Sequence, residues 1–240
     1  MAFRVAAVML ALAVALGGWF IGNGFVRGRT ADRYVSVKGV SERDVTANMA
    51  LWPLRFVSTD DNLARAQQKF DESKALVVAF LAKHSIDAGN VELQSFDVTD
   101  VLANPYRGNG AVTSRYIISG TLMVRVEDPT LVQKAGQDLG SLVQSGVVFS
   151  SQGGYSGGPT FLFTKLNDFK PEMIAEATAS AREAAEQFAK DSGSHLGPIR
   201  TANQGVFQIL PRDRAPGVME ESQLNKTVRV VTTVEYALED

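Results

Sequence analysis

The stretch "YIISGTLMVRV", Tyr116 to Val126, constrains the fold more than any other part of the chain. Tyr116, Ile118, Gly120, Leu122, Val124 and Val126 share one face, while Ser119, Thr121 and Arg125, with Arg115 just before them, take the other. A period of two with one wet side predicts an antiparallel strand covered on a single face.

Other segments fall into place around it. Tyr34 to Val40 reads as a strand, "SERD" (Ser41 to Asp44) as a turn, and Val45 to Val57 as a longer strand with Trp52, Leu54 and Phe56 on one face. Pro53 has no N–H for a ladder, which predicts an edge or a bulge there. Caps at Ser58, Thr59 or Asp60 open a helix to about Lys83 that carries Leu63, Ala66, Phe70, Val77, Phe80 and Leu81. Val91 to Leu102 is a strand, followed by the loop "NPYRGNG".

Asp128 and Pro129 start a second helix with Leu131, Val132, Ala135, Leu139 and Val143, which Gly146 stops. Val147 to Ser151 and Thr160 to Leu166 read as strands around "QGGYSGGP". A third helix, capped by Asn167 or Asp168, reaches Asp191 and stops at Gly193. Its stripe of Met173, Ala177, Ala181, Ala184 and Phe188 is small enough to predict close approach to a sheet. Ile199 to Leu210 and Lys226 to Leu238 are strands joined by a polar loop. The order ββαββαββαββ predicts an α+β fold: antiparallel sheets built from βαββ-like units, with three helices packed on them.

Ahead of this lies an apolar run. Val5 to Ile21 carries no charge, and Trp19 and Phe20 stand near one end. At about 1.5 Å per residue it spans roughly 25 Å, and the extension to Val26 brings it close to a bilayer core. A soluble helix normally has a polar face, and this run has none. Small-residue patterns at Ala11–Ala13 and Ala13–Ala15 fall inside the run, so an uncleaved anchor is expected ahead of a cleaved signal or a soluble helix. The chain then divides into an anchor at residues 1–29 and an α+β domain at residues 30–240, with the membrane contacted through residues 5–26. Arg4 on one side against Arg27, Arg29 and Arg33 on the other favours a cytoplasmic domain by charge alone, but long domains cross largely regardless of charge.

Composition removes several classes of chemistry. With no cysteine there is no disulfide, thiol nucleophile or Cys-ligated zinc. A formal net charge of -2 with scattered Lys and Arg gives no basic stripe, so no nucleic-acid partner is expected.

At the third helix the sequence meets a known pattern. "KLNDFKPEMIAEATASAREAAEQFAKDSGSHLGPI", Lys165 to Ile199, resembles the distal motif of SIMPL-domain proteins: spaced alanines (Ala177, Ala181, Ala184, Ala185), then Gly193 and the step Leu196–Gly197. "YVSVKGVSERDVTANMALWPLRF" resembles the family's opening hairpin and long strand, and "YIISGTLMVRVED" its middle strand, so the resemblance covers Tyr34 to Leu238. The chain departs from the family where Glu183 or Glu186 stands in place of lysine and where Pro53 interrupts a strand. The resemblance implies a cell-envelope protein, usually periplasmic and held by its N-terminal segment. It also implies a loose link to stress tolerance and ring-like homo-oligomers in some members. It brings no agreed reaction and no catalytic residues, and on orientation it places the domain in the periplasm.

The residues with chemical potential are few. "GYSGG" matches the G-x-S-x-G string around Ser156, but a nucleophile elbow needs a helix next, and Pro159 with a strand-like "TFLFTKL" follows. His84 and His195 have no partner at metal-ligand spacing. Asp97 with Asp100 and Glu127 with Asp128 are candidate carboxylate pairs, Asp128 being first a helix cap. Trp52, Phe56, Phe70 and Phe80 fit core packing better than a ligand cage. The polar loops Asn104–Thr113 and Pro211–Leu224 suit partner contact. The expectation is therefore a non-enzymatic, inner-membrane, single-pass protein with no catalytic, cofactor or metal residues. It would self-associate or dock an unnamed protein through strand edges near Pro53 and the Ala-rich helix face. A monomeric ligand-binding or scaffold module and a Ser156 hydrolase are the alternatives.

Overall fold

The computed structural model describes residues 9, 12–24, 33–103, 114–150 and 158–239. The fold is α+β. It runs β1 (Tyr34–Thr46), β2 (Met49–Asp60), α1 (Leu63–Lys83), β3 (Val91–Asp100), β4 (Tyr116–Val126), α2 (Pro129–Gln137), α3 (Leu139–Gln144), β5 (Val148–Phe149), β6 (Thr160–Leu162), α4 (Leu166–Asp191), β7 (His195–Gln204), β8 (Gln208–Pro211) and β9 (Asn225–Glu239). Residues 12–24 are also helical.

The chain forms two compact units. One comprises Met1–Arg43, Asn167–Gln208 and Arg229–Asp240; the other comprises Asp44–Leu166 and Ile209–Val228. The expectation of βαββ units holds in both. In the second unit β2, α1, β3 and β4 form a sheet ordered β3-β4-β2, with β4 antiparallel to each neighbour. In the first, β1, α4, β7 and β9 repeat that arrangement in the order β1-β9-β7. Leu238 N donates to Arg33 O at one end of β1, and the Thr46 and Asn225 side chains meet at the other, so β1 and β9 run antiparallel. In each sheet the last strand of the unit lies between the other two.

The core of the second unit is aromatic and branched. α1 lays Phe70, Val77, Phe80 and Leu81 on Trp52, Leu54 and Phe56 of β2 and on Ile118, Leu122 and Val124 of β4. Gly120 leaves room for Phe70: a Cβ there would sit 2.6 Å from that ring's Cζ. The core of the first unit is built from small residues. α4 buries Met173, Ala177, Ala181, Ala185 and Ala189, a strict i+4 ladder. Facing it, Gly39 on β1 would place a Cβ only 1.8 Å from Ala177 O. The predicted close approach is therefore real, but the stripe passes through Ala185 and Ala189 rather than Ala184 and Phe188, and Phe188 is exposed.

Several expectations need correcting. Among the described residues beyond residue 33 there are four α-helices rather than three, because the second breaks at Asp138 into α2 and α3. The described strands number nine rather than eight, since the run from Ile199 to Leu210 divides between β7 and β8. "SERD" is not a turn: β1 continues through it because α4 supplies partners for its polar side chains. Ser41 Oγ donates to Glu176 Oε2 at 2.6 Å, and Arg43 reaches Glu172 and Glu176. The chain turns instead at Ala47 and Asn48, and β1 and β2 enter different sheets.

Pro53 is not at an edge either. β2 pairs with β4 on one side and with β5 and β6 on the other. β6 reaches Met49 to Leu51 and β5 reaches Phe56 and Val57, so Pro53 falls in the interval between them. Arg55 O accepts from Ser150 N on that side, and by the two-residue period the missing Pro53 N–H faces the same interval. No helix among the described residues is long and apolar enough to cross a membrane, and most of residues 5–26 outside 12–24 lies beyond the described residues.

Candidate functional site

The two candidate carboxylate pairs do not converge. Asp97 and Asp100 lie opposite Ser119 and Tyr116, at the start of β4, whereas Glu127 and Asp128 follow its other end. Eleven residues of extended chain separate Tyr116 from Glu127, roughly 35 Å at the strand rise. Asp100 is also committed: Arg115 grips its carboxylate through Nε and Nη2, the latter at 2.8 Å, and this bond holds it below the ordinary carboxylate range. Asp128 accepts from Thr130 Oγ1 at 2.7 Å and Thr130 N at 3.0 Å, which lowers its pKa and caps α2 as expected.

His84 is the C-cap of α1, and its Nε2 lies 3.1 Å from Asp138 Oδ2 at the α2–α3 break. That hydrogen bond depresses the Asp138 carboxyl, with Lys83 assisting. The contact ties α1 to the break, a structural role. His195 is exposed at the start of β7, opposite Glu239. Among the described residues no group of three or more His, Asp or Glu is placed to hold a metal ion. Ser156 and the loop Asn104–Thr113 lie outside the described residues. β6 follows Pro159 as a strand, not the helix a nucleophile elbow requires. Trp52, Phe56 and Phe70 are buried core residues, and Phe56 and Phe70 stack at 4.9 Å.

The second polar loop is anchored rather than loose. Lys226 is fully buried, and its Nζ donates to Glu220 O at 2.7 Å and to the Glu220 carboxylate. Asp213 and Gln223 exchange two further bonds across the loop base. Gly217, at φ 81°, turns the tip and leaves Met219 exposed.

Two cavities in the second unit contrast in their charges. One, about 720 Å³, is lined by Asp61, Asn62, Gln67, Arg115 and Tyr116. Its charges are taken up internally: Arg115 pairs with Asp100, and Asp61 accepts from Arg115 N at 3.1 Å. The other, about 520 Å³, lies past the opposite end of β4 and includes Met49, Asp87, Asn90, Arg125, Glu127 and Leu131. The register Leu51–Arg125 and Val91–Val124 brings Met49, Arg125 and Asn90 together from neighbouring chain segments. Arg125, near the end of β4, and Glu127, just past it, are both exposed. No hydrogen bond or ion pair to Arg125, Asp87 or Glu127 side chains occurs among the described residues. Sequence reading named Glu127 and Asp128 but passed over Arg125 and Asp87, which no spacing connects.

The family model for SIMPL, described as a protein of unknown function (DUF541), matches residues 35–236. The chain belongs to this family, as the motifs in Lys165–Ile199 and Tyr34–Phe56 implied. No curated protein matches the chain.

Proposed function

We propose that this SIMPL protein is a non-enzymatic component of the cell envelope. Its first 29 residues act as a single-pass inner-membrane anchor, and residues 30–240 work in the periplasm, where they self-associate or dock a protein partner. The observation that carries this reading is the helix at residues 12–24. Its apolar side chains are exposed rather than packed: Leu12, Val14, Leu16, Trp19, Phe20 and Ile21 all project outward. Apolar residues on every side of a helix suit lipid, and a soluble domain would be expected to cover them.

The docking surfaces differ from those the sequence suggests. The alanine ladder of α4 is buried and β2 is an internal strand, so neither is free for a partner. The anchored loop around Gly217 and Met219 and the exposed edge strands β3 and β7 remain as the contact surfaces. The test is alkaline extraction of membranes combined with an alkaline phosphatase fusion after Asp240. Membrane retention with an active reporter supports the reading; freely soluble, uncut protein or an inactive reporter defeats it. Light scattering of the detergent-solubilised chain addresses self-association, and a strict monomer at high concentration leaves only partner docking.

A further inference from the structure

The cavity past the end of β4 holds charges that the fold itself does not use. Arg125, in the last pleat of β4, and Glu127, just past the strand's end, stand two residues apart, about 7 Å in extended chain, and do not pair with each other. Asp87 approaches from the turn after α1. A guanidinium without a partner matches the planar fork of a carboxylate, and two carboxylates without partners match ammonium groups. Three lining carboxylates (Asp87, Glu127, Asp128) against the one guanidinium of Arg125 leave two negative charges, so an anionic ligand is repelled. A neutral zwitterion leaves one of Asp87 and Glu127 without a counterpart. Met49 and Leu131 add apolar wall suited to a methylene chain.

We propose that this cavity binds a cationic amino acid, its carboxylate on Arg125 and its two cationic groups on Asp87 and Glu127. The site stands independently of whether the chain is tethered or self-associates, because all its residues belong to the second unit. Calorimetry on the full chain in detergent tests it with three probes: L-lysine, cadaverine (lysine without its carboxylate) and L-norleucine (lysine without its side-chain ammonium). Saturable lysine binding is expected, with cadaverine and norleucine each at least about tenfold weaker. Arg125→Met removes the advantage of lysine over cadaverine, and Glu127→Gln weakens lysine. Both residues are exposed, and circular dichroism verifies that each variant folds. The proposal is overturned by no saturable heat at lysine concentrations up to about 10 mM. It is equally overturned by equal affinities for lysine and cadaverine in the unmodified chain, a comparison that needs no variant.

Discussion

The two βαββ units solve one packing problem in different ways. Each sets a long helix on a three-strand arrangement and uses a strand glycine where the helix comes closest. In the unit of β2, α1, β3 and β4 that glycine is Gly120, on the middle strand, and the atom it admits belongs to a side chain, Phe70. In the unit of β1, α4, β7 and β9 it is Gly39, on an outer strand, and the atoms it admits are helix backbone: Ala177 O and Ala181 N. A ring can turn or be shortened; a backbone carbonyl moves only with its helix. The first arrangement fills volume with large side chains, and the second removes side chains until two backbones nearly touch. Similar topology thus hides opposite tolerances to change.

The largest effect should follow from Gly39→Ala. The new methyl would lie 1.8 Å from Ala177 O and 2.4 Å from Ala181 N, so α4 must lift off β1 as a body. That loosens the whole alanine ladder, and a loss of at least about 3 kcal/mol is expected, at or beyond the upper end for overpacking. Ala181→Gly should not rescue it, because the clash is with backbone. Urea denaturation of the single and double variants reads this directly. A mild loss, or full rescue by Ala181→Gly, would break the contrast.

Gly120→Ala should cost less, about 1–3 kcal/mol, and should be rescued. Its methyl would meet Phe70 Cζ at 2.6 Å, and Phe70→Leu removes that end of the ring. Phe70→Leu alone opens space between Phe56 and Phe96, which flank the ring at 4.9 and 5.2 Å. The double variant should therefore be more stable than the sum of the two losses predicts, a coupling of about 1 kcal/mol or more. Trp52 is buried in this core, so its fluorescence reports the transition once Trp19 is replaced by Phe. Strict additivity would mean that the ring is not what Gly120 accommodates.

The elements the sequence revealed best are those whose pattern has a purely local cause. β4 shows the predicted alternation, with Ile118, Leu122, Val124 and Val126 buried, because each residue answers only to the covered face. The caps at Asp128 and the stops at Gly146 and Gly193, both in the left-handed region, follow from backbone needs alone. Two of the failures depended on distant partners. "SERD" looks like a turn until Glu172 and Glu176, more than a hundred residues away, receive Arg43 and Ser41. The break at Asp138 coincides with a bond to His84 on another helix. The candidate site was half visible: Glu127 was noticed as a charge beside a cap and stands only two residues from Arg125, but the relation of this pair to Asp87 exists only once β4 and the turn after α1 meet. The cavity has no motif because its parts come from separate elements.

The smallest expected effect concerns the carboxylates that fasten each helix to a strand, and here the polarity reverses. In one unit the acid is on the helix: Glu176 of α4 takes Ser41 and Arg43 of β1. In the other it is at the strand end: Asp60 of β2 takes the Asn62 backbone N–H, with Lys69 and Arg65 of α1. Both carboxyls are held below their ordinary values, Glu176 chiefly by the Ser41 hydroxyl and Asp60 chiefly by the Asn62 N–H. A carboxylate whose pKa falls on folding contributes stability above its unfolded pKa and loses it as pH drops through the folded one. Glu176 starts from 4.5, while Asp60 starts from 3.8 and is pushed far lower. Acidification should therefore release the α4 fastening first, while Asp60 stays ionised to more acidic pH. Glu176→Gln should remove its share of the pH dependence below pH 4.5, and the penalty of Asp60→Asn should persist further down. Melting curves of both variants between neutral pH and the acid limit decide it. If Asp60→Asn converges with the unmodified chain at a higher pH than Glu176→Gln does, the strand-end carboxylate is the weaker latch and the contrast between the units is reversed.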